Sequence, residues 1–288
     1  MIRTCGIIGY GKLGSALAEM LYAQGRLSWI CVHSESQYSE ALKHNVPVHY
    51  SLDKLEKTDS IILSVQDSEL KNVSNEVVTT GLDTTTWLMH CSGTLGQEVF
   101  QMAKDKQINT ACIHPFQTIV NKQSLHDIPW GIECEKKDEQ VIGEFVSSLN
   151  GNPVFLSEET KAHKAAYHAT AVMASNFMTV LTELSSIAAS NAHIDPAIFL
   201  PMIQKSALQN AHAALQNGKS ALDMLTGPLL RGDIITIVSQ IESLTKNSVL
   251  VRVYIELSIA TLELLHQSKR IESKQYELMI QQISAHST

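Results

Sequence analysis

Cys5-Gly6-Ile7-Ile8-Gly9-Tyr10-Gly11-Lys12-Leu13-Gly14-Ser15-Ala16-Leu17-Ala18-Glu19-Met20-Leu21 passes from an apolar run through a glycine turn into an Ala/Leu-rich helical pattern. Strand, turn and helix follow one another, with glycines spaced Gly-x-Gly-x-x-Gly. The first glycine permits a tight turn, the second lets a pyrophosphate approach the backbone, and the third lets the helix pack on the strand; the phosphates then face the helix N-terminus. The segment reads as a dinucleotide site, with Gly9, Tyr10, Gly11, Lys12, Leu13 and Gly14 around the pyrophosphate. Glycines also serve ordinary turns, but here the flanks match on both sides.

Outward from this turn, short apolar runs at 4–9, 29–33, 46–50, 60–65, 86–90, 110–114, 131–133 and 153–156 alternate with helical periodicity at 13–24, 68–79, 97–105 and 140–149. That alternation predicts an α/β fold, a doubly wound and mostly parallel sheet with ligands at the strand C-termini. After Ser157-Glu158-Glu159 the pattern becomes wholly helical. A long Ala-rich helix is expected over 161–191, Asp195-Pro196 reads as an N-cap with proline at the first helical position, and Pro201 within the same helical pattern should kink or interrupt it. Further helices are expected over 234–245, 249–268 and 273–285. The expected division is a dinucleotide-binding domain at 1–156 and an all-α substrate and dimerisation domain at 157–288. The helix over 248–267 is apolar around much of its circumference, so it is either central in its bundle or meets a second subunit in a homodimer.

The 288 residues are 44% hydrophobic and 18% charged, a globular composition. A formal net charge of -7 argues against a nucleic-acid or anionic-membrane surface and leaves a small molecule as the expected partner. No apolar stretch approaches the ~20 residues of a membrane span. No charged-then-apolar leader precedes the first strand, so a cytoplasmic location is expected. The five cysteines are widely spaced without a C-x-x-C pair, and read as buried, reduced thiols with no disulfide and no metal.

Several strand ends carry residues suited to chemistry. The second run ends in His33-Ser34-Glu35, where an acid would bond the ribose hydroxyls of NAD and repel the extra phosphate of NADP. His33 and Ser34 favour NADP over NAD, although Glu35 serves NAD if the register slips by one, and Ser34 equally suits a helix cap. Val65 and Gln66 follow the fourth run beside the expected dinucleotide; Asp67 and Ser68 there suit N-caps. Ser92, in Cys91-Ser92-Gly93-Thr94, faces the nicotinamide end or simply makes a turn. His114, in His114-Pro115-Phe116-Gln117, is placed to donate to a substrate carbonyl or to serve as acid or base. Lys164, His168, Val172 and Ser175 share a helix face, with Asn176 at its edge, and suit either a ligand wall or a helix interface around a solvated Lys164. In Thr226-Gly227-Pro228-Leu229-Leu230-Arg231-Gly232-Asp233, Asp233 suits an N-cap and Arg231 a carboxylate or phosphate anchor.

Taken in order, the glycine turn, Cys91-Ser92-Gly93, His114-Pro115-Phe116-Gln117, His168 through Ser175-Asn176, and Thr226-Gly227-Pro228-x-x-Arg231-Gly232-Asp233 resemble an uncharacterised family of Rossmann-like candidate NADP oxidoreductases with a C-terminal domain of unknown function. That family is distantly similar to pyrroline-5-carboxylate reductase, the 6-phosphogluconate and 3-hydroxyacid dehydrogenases, and coenzyme F420-dependent NADP reductases. The resemblance implies a two-domain subunit, an often dimeric helical domain, and a cleft where nicotinamide meets substrate. It departs from the hydroxyacid dehydrogenases, whose helix carries a lysine and an asparagine four residues apart, because His168 follows Lys164 at that spacing. The expected function is NADP-dependent hydride transfer to or from a small carbonyl, imine or hydroxyacid. His114 and His168 are the candidate acid/base groups, Ser92 and Asn176 the substrate hydrogen-bonders, and Arg231 the anchor. The alternative is an NADP-binding sensor that does not turn over its cofactor.

Overall fold

A computed structural model of the chain describes residues 2–53, 55–216 and 220–286. By its internal contacts it forms two compact units, Met1–Phe177 and Met178–Thr288. The first holds eight strands: β1 (Cys5–Ile8), β2 (Leu27–Cys31), β3 (Val48–His49), β4 (Ser60–Leu63), β5 (Trp87–His90), β6 (Asn109–Pro115), β7 (Pro129–Glu133) and β8 (Asn152–Phe155). They make one sheet in the order β3-β2-β1-β4-β5-β6-β7-β8. Every pairing is parallel except β6 with β7, where His114 lies opposite Gly131. The order reverses between β1 and β4, and at such a switch point the loops leaving neighbouring strands part and open a crevice.

Helices α1 (Lys12–Ala23), α2 (Glu35–Ala41), α3 (Asp67–Thr79), α4 (Gln101–Asp105) and α5 (Glu139–Ser148) connect the strands. Successive residues on a strand point to opposite faces, and both faces are buried. Thus Ile7, Ile62 and Met89 enter one core with Leu17, Leu21 and Trp130, while Ile8, Leu63 and Leu88 enter the other with Trp29, Leu70 and Phe100. Four of the cysteines are buried free thiols; Cys134 is only half-buried, because it stands just past the end of β7. Two short helices close this unit, α6 (Glu158–Ala162) and α7 (Lys164–Ala171), and a π-helical turn, Val172–Asn176, comes after them. The unit therefore extends past the expected boundary at 156.

The second unit contains α8 (Phe177–Asn191), α9 (Leu200–Gln216), α10 (Pro228–Arg231), α11 (Ile234–Ser243), α12 (Ser248–Gln267) and α13 (Ser273–Ser284). Pro201 does not interrupt a helix. It stands in the first turn of α9, where its missing N–H has no intrahelical acceptor to lose. A small core forms from Ile237, Ile241, Leu262, Leu265, Met279 and Ile283. On α12 one face enters that core while Val249, Leu257 and Leu264 remain exposed.

The helical run Lys164–Asn191 spans 28 residues, and an 18-residue window of it has mean hydropathy 1.2. By length and composition alone it just reaches what a membrane span requires, a test that helices of folded domains also pass.

Candidate active site

The C-terminal ends of β1, β4, β5 and β6 open onto one cleft of about 410 Å³. At its start lies the glycine turn. Gly9 has φ +95°, and a Cβ there would come within 2.3 Å of the Ser64 carbonyl oxygen, so glycine is required twice over. A Cβ on Gly14 would meet the Gly9 carbonyl oxygen at 2.1 Å, which is the close helix-on-strand packing that the third glycine serves. Gly11 has open space above it, and no side chain caps α1 there. The first N–H groups of α1 are thus left facing the cleft, a site suited to a phosphate.

Gly11, Lys12 and Leu13 line this cleft, as do Val65 and Gln66 from the loop after β4. Tyr10 does not. Its side chain is only 3% exposed and its hydroxyl meets His44 Nε2 at 2.8 Å, because a residue inside this turn faces the core as readily as the ligand. Asp67 and Ser68 are not caps either; Gln66 holds that position, without a side-chain bond, and Asp67 begins α3. His33 and Ser34 lie in the loop after β2, outside the cleft lining. The Ser34 hydroxyl accepts from Gln37 N and caps α2. Glu35 accepts a 2.6 Å bond from the Tyr50 hydroxyl.

At the far end of the cleft stand Ser92, Gly93, His114 and His168. Ser92 Oγ accepts from Thr94 N and Leu95 N at 3.1 and 3.0 Å, so the turn reading holds and its O–H remains to donate. Beneath it the Ser92 amide donates to His90 Nδ1, which leaves His90 Nε2–H to donate to the Gly96 carbonyl. Burial holds the His90 pKa down at about 4.

His114 and His168 meet edge to face, their ring centroids 5.6 Å apart. Both pack on Gly93: a Cβ there would stand 2.6 Å from His168 Nδ1 and 2.7 Å from His114 Nε2. Burial, with the nearby His168, Lys164 and His90, pushes the His114 pKa down to about 4, so the ring is neutral at neutral pH. His168 Nδ1 is buried and has no partner among the described residues. The same two rings also line a second cleft of about 270 Å³, walled by Gln117, Val172, Ser175 and Asn176. The π turn carries Ser175 to Thr118 Oγ1 at 2.5 Å, and such turns recur at functional sites.

Lys164 shares the helix but not the cleft. It is buried, and its Nζ meets Glu133 Oε2 at 3.1 Å, so it is not the solvated lysine of the helix-interface reading. Glu133 Oε1 also accepts from Gln97 N. Arg231 ends α10 in the second unit, exposed, and Asp233 caps α11 through Thr236 N. Sequence reasoning missed Tyr167, whose hydroxyl lies 3.1 Å from His114 Nδ1, together with Gly131 and Glu133. A glycine within a strand marks a close approach by another group, and that was the available signal for Gly131.

A mostly parallel doubly wound sheet with a glycine turn at its switch point defines a Rossmann-like domain. Residues 2–115 match the Rossmann-like domain family and residues 128–261 match the domain of unknown function DUF2520, so the chain joins these two domains. No curated protein matches it by sequence. Among solved structures, a candidate NADP oxidoreductase from Bacteroides fragilis is 20% identical with TM-score 0.77, over 90% of this chain and 98% of that one. An imine reductase from Myxococcus stipitatus in complex with NADP+ is 13% identical with TM-score 0.67, over 93% and 94%. A pyrroline-5-carboxylate reductase from Coxiella burnetii is 16% identical with TM-score 0.58, over 92% and 99%. At these identities the likeness establishes a shared fold.

Proposed function

We propose that this protein is an NADP-dependent oxidoreductase that passes hydride between nicotinamide and a small carbonyl, imine or hydroxyacid. The observation that carries the reading is the pair of imidazoles over Gly93: a buried, unpartnered His168 Nδ1 beside a neutral His114, at the end of a cleft that starts at a phosphate-ready helix N-terminus. An unpartnered buried nitrogen costs about 1–3 kcal/mol unless a ligand satisfies it. The open space over Gly11 and the uncapped start of α1 fit a pyrophosphate. The dinucleotide, when bound, supplies the hydride. Gly11, Lys12 and Leu13 hold its phosphates, Val65 and Gln66 border its middle, and His33 and Ser34 receive the 2'-phosphate. The solved imine reductase with NADP+, and the pyrroline carboxylate reductase of Plasmodium falciparum solved with NADP, support that choice of cofactor.

His114 and His168 then exchange hydrogen bonds or a proton with the substrate heteroatom, where negative charge develops as hydride reaches the adjacent carbon. Asn176 and the free O–H of Ser92 orient the substrate. The second unit supports a homodimer, because Met178, Val180, Met202 and Leu208 on α8 and α9 are all exposed. Elution as a monomer across a micromolar range would overturn that assignment.

Thermal unfolding with NADPH and NADH at millimolar levels tests the cofactor, since a ligand that binds only the folded chain raises its melting temperature. We expect a larger rise with NADPH. No rise with either nucleotide overturns the reading. NADPH oxidation is then followed over a panel of carbonyls and imines, where His114→Ala and His168→Ala should each lose turnover and keep the thermal shift. Binding without turnover across the panel supports a sensor instead.

A further inference from the structure

We propose that Tyr167, seated on Gly131, is a positioning residue that locks His114 in the tautomer whose Nε2–H faces the cleft. The proposal rests on the hydride-transfer reading for its chemical meaning, but the geometry stands apart from it. Across the antiparallel pairing of β6 and β7, His114 lies directly opposite Gly131. A Cβ on Gly131 would stand 2.1 Å from the Tyr167 hydroxyl oxygen, so that oxygen occupies the place any other residue would fill. From there it reaches His114 Nδ1 at 3.1 Å, while Phe116 packs edge-on against both rings.

The direction of this bond comes from counting donors. His114 Nδ1 is the only partner of the Tyr167 hydroxyl among the described residues. Were Nδ1 protonated, it would donate to the phenol oxygen and leave the O–H of Tyr167 without an acceptor in a half-buried place. With the phenol donating, both groups are satisfied, and the single ring proton of a neutral histidine must sit on Nε2. Burial raises the Tyr167 pKa above its usual value, which keeps the hydroxyl protonated as this arrangement requires. Nε2 is on the edge of the ring that lies over Gly93, and Gly93 and His114 both line the larger cleft.

A fixed Nε2–H makes His114 a hydrogen-bond donor from the start. It therefore selects substrates whose reacting heteroatom has a free lone pair, a carbonyl or a neutral imine, over an iminium ion, whose nitrogen has none to offer. The acceptor at this end of the site is His168, through Nδ1 or Nε2 according to its own tautomer.

The test is two-bond 1H–15N correlation of the imidazoles in the full-length protein at neutral pH, with His114 assigned by its loss in His114→Gln. In the wild type we expect one pattern for His114, Nε2 protonated and Nδ1 bare. In Tyr167→Phe that pattern should collapse toward the averaged signals of a tautomer mixture, and Gly131→Ala, which keeps the phenol but fills its seat, should do the same. A wild-type spectrum with Nδ1 protonated overturns the proposal even if neither variant folds. So does an unchanged His114 pattern in a folded Tyr167→Phe. No nucleotide or substrate is needed, so failure of the oxidoreductase reading would appear in the thermal-shift and turnover assays and leave this result standing.

Discussion

The glycine turn and the histidine wall stand at opposite ends of one cleft and are built by opposite means. At the turn the backbone decides everything: Gly9 and Gly14 are excluded from bearing side chains by carbonyl oxygens, while Gly11 has open space over it. At the wall, side chains from β6, the loop after β5 and α7 converge, and only Gly93 and Gly131 are backbone devices. A site built from backbone is encoded locally in a few consecutive residues. One built from converging side chains exists only once the sheet has assembled.

That contrast can be broken most severely at the turn. Gly14→Val puts its Cβ against the Gly9 carbonyl, neither of which can move without parting helix from strand. We expect loss of cooperative thermal unfolding as well as of nucleotide binding, read by circular dichroism. Gly11→Ala is the control, since nothing lies within 4 Å of its added methyl. It should melt like the wild type and yet lose NADPH affinity. Equal melting temperatures for all three proteins would mean that the turn is not under the steric constraint described.

The next largest effect belongs to the pair that anchors the wall. Lys164 lies one helical turn before His168 and is held to β7 by Glu133, both side chains about nine-tenths buried. Glu133→Ala leaves an uncompensated buried charge, which costs about 3–5 kcal/mol. Removing both charges, in Lys164→Met with Glu133→Leu, should recover most of that loss in denaturant titrations. If the double variant is no more stable than Glu133→Ala, the pair is not acting as a buried ion pair.

Gly93→Ala separates the two ends of the cleft. Its methyl would strike both imidazoles while leaving the glycine turn untouched. Turnover should fall roughly 100-fold, the lower range for removal of a positioned acid or base, with the thermal shift from NADPH retained. Loss of binding together with turnover would show that the wall also holds the nucleotide.

The wall should also respond to pH, and the turn should not. His90 and His114 are both held at about 4, against an ordinary value near 6.5. Between these values the unfolded chain binds a proton that each folded histidine refuses, so stability is fully present above about 6.5 and is lost as pH falls toward 4. The slope is on the order of 1 kcal/mol per histidine per pH unit. His90→Gln should flatten the dependence of melting temperature on pH over that window; an unchanged slope would place His90 outside the linkage.

All eight strands and the helical second half were legible in the sequence, because a sheet buried on both faces writes itself as short apolar runs and α11–α13 keep clear periodicity. That Val65, Gln66, Ser92 and His114 line one cleft was legible too, since parallel topology sends C-terminal strand ends to one side, whereas His33 and Ser34, past the end of β2, lie outside that lining. Less visible were features that depend on pairing across distance. Tyr167 sits next to His168 in the chain but had no evident role until the β6–β7 register placed Gly131 opposite His114. Lys164 suited a ligand wall or a solvated place beside a helix interface, and met neither reading once Glu133, earlier in the chain, came to pair with it. Tyr10 looked like part of the ligand site because its neighbours are, but its hydroxyl belongs to His44.

The smallest expected effect lies just beyond the turn, at the choice between NADP and NAD. Ser34 Oγ accepts from Gln37 N as the cap of α2, which occupies a lone pair but leaves the hydroxyl proton free to donate. The two uses are therefore compatible, and Ser34→Ala removes both at once. Loss of the cap should cost about 1 kcal/mol of stability whichever nucleotide is present. Loss of a hydrogen bond to a charged phosphate, about 1.5–3 kcal/mol, should weaken NADPH at least tenfold and leave NADH unchanged, because only the former carries the 2'-phosphate. Titrating both nucleotides against the variant separates these terms: an equal change for the two would assign Ser34 to capping alone and move the choice of cofactor to His33.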